Sequence, residues 1–161
     1  MEPVRTNPSA AGTHEGGNAV AVRHYLRGAQ LAESREYTAA VTEMSMAVAL
    51  DPTLHTARLQ LGLLYLTMAQ PEQAAAVLGP LESSEDQALV QFKRGLEALM
   101  HDDFDSCIRQ LSCGIGLNER NKALNRDMSM IIERVRSIMQ SADPSSGAVR
   151  TDFSLYGLTQ K

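Results

Sequence analysis

Four histidines, two cysteines and one acidic pair are the side chains of this sequence most able to do chemistry, so their spacing is read first. His14, His24, His55 and His101 lie far apart. None falls into the His-x-x-x-His or Glu-x-x-His spacing that would put two metal ligands on one helix face. Cys107 and Cys113 stand six residues apart with no histidine in a ligand pattern beside them. They read as two small buried thiols. A sequence with so few cysteines suits a reducing compartment, and a cytoplasmic location is expected. No Gly-x-Ser-x-Gly elbow and no Walker-type phosphate loop occurs. Gly114 and Gly116, in LSCGIGLN, faintly echo a phosphate-binding turn, but no strand precedes them and they read as the end of a helix. The pair Asp102-Asp103 has the chemistry of a helix cap, accepting from N-terminal backbone N–H groups and favouring the positive helix end. The residues therefore predict no catalytic group, no metal, no cofactor and no enzyme.

The elements around these residues must then explain the chain. Its 161 residues fit one domain with room for a core. Aromatic residues make up 4%, there is no Trp, and Ala, Leu and Met dominate, a mixture that favours helices over strands. The net charge of -4 comes with no basic stripe, which argues against a nucleic-acid partner. No apolar run reaches the roughly 18 residues of a membrane span, so no membrane insertion is expected.

The clearest signal is a period. Gly62 sits inside the leucine-rich LQLGLLYLTMAQPEQAAAVL, where a helical glycine costs about 1 kcal/mol relative to alanine. Gly28 lies 34 residues earlier and Gly95 lies 33 later. Each is followed by a polar corner (ESRE, AQPE, HDDF). A second helical stretch then opens at Tyr37, Pro71 or Phe104. A small residue stands twelve places after each glycine: Ala40, Ala74 and Cys107.

In these residues the sequence resembles the tetratricopeptide repeat (TPR) family, whose 34-residue unit is a pair of antiparallel helices with small residues at their crossing. The match runs from about Val20 to Asn118 and is weaker in the third unit, where Glu119 replaces a closing proline. Leu81 replaces a small residue in the second unit, and Gly79-Pro80 cuts its second helix short. The resemblance implies an all-α fold: a helix-turn-helix superhelix of three repeats, about 21–54, 55–87 and 88–120, with a capping helix at 121–140. In that fold Gly62 admits the second helix where a Cβ would clash, and Ala74 does the same from the other side. Residues 1–18 read as a disordered arm and 19–140 as the repeat domain. The cap, NKALNRDMSMIIERVRSIMQ, places Leu124, Met128, Ile131, Ile132, Val135 and Ile138 on one face. Residues 141–161 form a flexible or docking tail, in which Phe153, Leu155, Tyr156 and Leu158 are candidates for folding back or crossing to a second subunit.

The resemblance also implies a binding surface, since the family's concave face is lined by the first helix of each pair. The matching residues are Val22, Tyr25, Ala29, Leu59, Leu63, Leu66, Leu89, Phe92, Leu96 and Leu99, with Arg58 and Lys93 on the rim. Capture of a partner's C-terminal carboxylate is not expected, because Lys93 alone of the matching positions is basic. An apolar groove suits a hydrophobic or amphipathic peptide. The expected function is protein–protein interaction, as an adaptor or small chaperone, in a layout similar to small bacterial TPR chaperones. The alternative is a structural subunit whose apolar face or tail makes a homodimer or seats a larger assembly.

Overall fold

The computed structural model describes residues 12–141, whose regular elements are all helices, with no strand among them. They divide into two compact units, the first ending at Leu54 and the second beginning at His55.

The first unit is one helical hairpin: α1 (Gly12–Glu33) packs along α2 (Tyr37–Leu50). α1 begins within the stretch expected to be an unfolded arm; once a helix is nucleated, each further residue adds a hydrogen bond at little extra entropic cost. The second unit holds α3 (His55–Thr67), α4 (Pro71–Leu78), a short 3-10 helix (Gly79–Ser83), α5 (Gln87–Met100), α6 (Phe104–Leu117) and α7 (Lys122–Ser141). α3 pairs with α4, α5 with α6, and α7 lies on α6. α4 stops after eight residues where Gly79-Pro80 tightens the chain, as the sequence predicts.

The three glycines perform one task. An ideal Cβ at Gly28 would lie 2.6 Å from Met44 Cγ, at Gly62 2.6 Å from Leu78 Cγ, and at Gly95 2.7 Å from Leu111 Cγ. In every hairpin the obstructing side chain is the one sixteen positions on. Ala40, Ala74 and Cys107 are buried completely. Gly114, read as a helix end, lies in the last turns of α6 but also seats Phe92: its absent Cβ would be 2.5 Å from the ring.

A second recurrence lies in the backbone. Arg35, Ala69 and Asp102 each have positive φ, at 63°, 57° and 58°, and each follows its glycine by seven residues. Around them Glu36 N–H donates to Leu31 O, Gln70 N–H to Tyr65 O and Asp103 N–H to Ala98 O. The same five-residue closure, with a left-handed residue before it, ends all three first helices. This is the Schellman arrangement, usually built on glycine.

The core of the second unit runs from Leu59 and Leu66 through Leu78, Leu81, Phe92, Leu96 and Leu111 to the buried face of α7. There Leu124, Met128, Ile131, Ile132 and Val135 are buried and Ile138 packs partly against them. An asparagine cluster stitches α6 to α7. Asn118 donates to Asn125 Oδ1 (2.7 Å) and to Asn121 O (2.9 Å), while Asn125 donates back to Asn118 O (2.9 Å).

Candidate interaction surface

The apolar residues assigned to a groove separate into two groups. Leu59, Phe92 and Leu96 are wholly buried, and Leu66, Leu89 and Leu99 nearly so. These six are core residues and correct the groove assignment: their side chains are consumed in packing and present little or no area to a partner. Leu63 is half-buried against the same core. On α1, by contrast, Val22 is 36% exposed, with Tyr25 and Ala29 half-buried beside it. Leu26, absent from the sequence-based set, is 53% exposed on the same helix.

The rim assignment changes too. Lys93 is buried, and its Nζ donates to Glu82 Oε2 (2.8 Å) and pairs with Glu97 Oε1 (2.9 Å). Arg94 also binds Glu82. Burial alone would lower the Lys93 pKa, but the bonds to Glu82 and Glu97 outweigh it and raise it. The hydrogen bond from Arg94, then that from Lys93, holds the Glu82 carboxyl down at about 2. Lys93 is thus an internal clamp between α5 and the 3-10 helix rather than a rim cation. Arg58 is half-buried, its Nη1 donating to Val77 O at 3.5 Å. The tail residues Phe153, Leu155, Tyr156 and Leu158 lie outside the described residues.

One depression, of about 240 Å3, opens on the first unit. Val20, Arg23, His24, Arg27 and Glu43 line it. His24 Nδ1 is 2.6 Å from Glu43 Oε2, and Arg27 Nε is 3.4 Å from Glu43 Oε1. Both carboxylate oxygens therefore face bases, and two arginines and a histidine surround one acid.

The residues with catalytic potential are scattered. No group of three or more His, Cys, Asp or Glu able to hold a metal occurs among the described residues. Asp103 caps α6, accepting from Ser106 N–H at 3.0 Å. The side-chain and backbone hydrogen bonds from Ser106 lower its pKa. Cys107 is buried, and desolvation lifts its thiol to about 12, so it resists becoming a nucleophilic thiolate. Cys113 is exposed, which corrects its reading as a buried thiol: it lies on the side of α6 turned away from the core. Among the described residues no helix is long and apolar enough to cross a membrane. No protein-family model, curated protein or solved structure matches the chain at a significant level.

Proposed function

We propose that this chain is a non-enzymatic repeat protein of the tetratricopeptide type that binds a hydrophobic or amphipathic segment of a protein partner, as an adaptor or small chaperone. The threefold return of the glycine contact and of the left-handed turn supports the repeat reading, since three hairpins with one internal geometry are what a 33- to 34-residue unit produces. A superhelical stack of three such units with α7 as its cap is part of the same proposal. A reducing, cytoplasmic setting is too, in keeping with two unbridged cysteines.

The observation that carries the binding function is the outward face of α1. Val22 and Leu26 stand one helical turn apart, both exposed, while the other apolar first-helix residues are largely consumed by packing. About half of the Leu26 side chain stays in water, forgoing about half of the roughly 1.5–3 kcal/mol that full burial of a leucine supplies. That cost is recovered when a partner covers it.

The test is capture from a lysate by the wild-type chain, by Leu26→Asp and, as a control on α7 where Met130 is comparably exposed, by Met130→Asp, with mass spectrometry. A partner held by the wild type and Met130→Asp but lost with Leu26→Asp supports the proposal. Equal retention by all three contradicts it. Light scattering on the same proteins separates the structural alternative, for which a stable dimer of the wild-type chain is the expected result.

A further inference from the structure

On α1 the exposed apolar pair belongs to a longer seam. Ala19, Val22, Leu26 and Ala29 follow one another at intervals of three, four and three residues. That spacing places them along one line of the helix and is the spacing with which a second helix interlocks its own side chains. Ala19, Val22 and Leu26 are exposed and Ala29 is half-buried. The small residues at either end let another backbone approach, and the two larger ones at the centre supply the apolar contact.

Charge makes the middle of the seam one-sided, the exposed acid Glu33 lying one turn beyond Ala29 on the same line. Val22 is followed by Arg23 and Leu26 by Arg27. A step of one residue is about 100° of rotation, so both arginines lie along the same flank. Tyr25 and Ala32, both uncharged, occupy the other. The basic flank borders the depression lined by Val20, Arg23, His24, Arg27 and Glu43. Glu43, the one acid there, already faces His24 and Arg27 through its two oxygens. Arg23 is exposed, and the Arg27 side chain is 72% exposed. The flank therefore carries an excess of positive charge on a protein whose overall charge is -4.

Resting on the binding function proposed above, we propose that the occupant of this seam is an amphipathic helix of a partner protein with carboxylates along one edge. Its apolar residues, at i, i+3, i+4 and i+7, cover Val22 and Leu26. Its acidic edge lies over Arg23 and Arg27. The complementary charge fixes which way round the helix docks and excludes basic helices of the same apolar pattern. A second copy of α1 is a poor occupant, because an antiparallel two-fold pairing about residue 24 would bring the two Arg23 side chains together.

The test uses two labelled synthetic helical peptides of about 18 residues, long enough to be helix-forming. They share a leucine seam and differ in bearing Glu or Lys on the flanking positions. Fluorescence anisotropy against the full chain should give the acidic peptide about a tenfold tighter Kd, the sum of two exposed charge pairs. The difference should shrink in about 1 M salt, where the Debye length is about 3 Å. Arg23→Glu should abolish the preference at unchanged helicity; Arg27→Gln, a milder change beside Glu43, should halve it on a logarithmic scale. Equal binding of both peptides, or a preference for the basic one, overturns the acidic partner while leaving α1 as a docking surface. Binding of neither overturns the docking surface itself. A dimer that Leu26→Asp dissolves assigns the seam to a second copy and also overturns the proposal.

Discussion

Alanine in place of Gly95 would set a methyl carbon 2.5 Å from Leu111 Cδ2, with the Leu111 backbone nitrogen only 3.2 Å away. The leucine cannot withdraw far, because its branch carbon is nearly as close as its tip. Gly95→Ala should therefore lose about 1–3 kcal/mol to overpacking, more than the roughly 1 kcal/mol that alanine gains in a helix. Gly116, in α6, has nothing within 4 Å of its Cβ site. There the same substitution should be neutral or stabilising by up to about 1 kcal/mol. Denaturant titration of both variants reads the difference, and equal effects would mean that α5 and α6 are not in close contact at Gly95. Ala69 tests the turn: it is held at φ 57°, where a Cβ is unwelcome and glycine is not. Ala69→Gly should raise stability by about 0.5–1 kcal/mol, readable as a higher melting temperature. The glycine contacts were legible in the sequence because a period of 33 to 34 residues marks them. The left-handed residues were not, since Arg, Ala and Asp carry no shared signature of that conformation.

Between elements, the irregular stretch after α4 is held by charge. Glu82 on the 3-10 helix takes Arg94 and Lys93 from α5. Its carboxyl is held at about 2 against an ordinary 4.5, so the clamp is fully formed above about pH 4.5 and is lost as the pH falls through about 2. Glu82→Gln should flatten the dependence of melting temperature on pH across that window, measured at low ionic strength because Glu82 is exposed. An unchanged slope would show that the clamp contributes nothing to folding. The sequence announced the break at Gly79-Pro80 but not this clamp, whose partners are eleven and twelve residues apart across a segment with no simple period. It also misplaced six leucine and phenylalanine side chains. Apolar type marks a buried position well, but it does not distinguish a core position from a groove wall; only the packing of α5 against its neighbours does. α7 was legible because one side of it is apolar at helical spacing, and that side is the one buried.

For the whole molecule, the proposed binding rests on what remains uncovered once the core is counted. The α1 seam was partly visible in advance, since Val22, Tyr25 and Ala29 were on the expected surface. Leu26 does not fall on a position matching the family's groove, although the recurring apolar–arginine pairs Val22-Arg23 and Leu26-Arg27 mark its side of the helix. Charge placed on the seam should abolish partner binding without loss of helicity: Leu26→Asp is expected to keep the wild-type circular dichroism spectrum, because more than half of the side chain is exposed. Partner contact at this place is best measured by a photo-crosslinking amino acid installed at position 26, with position 130 as the control, in the full chain exposed to its native lysate. The account predicts one discrete protein adduct from position 26 and none from position 130. Adducts from position 130 alone, or the same products from both, would contradict it.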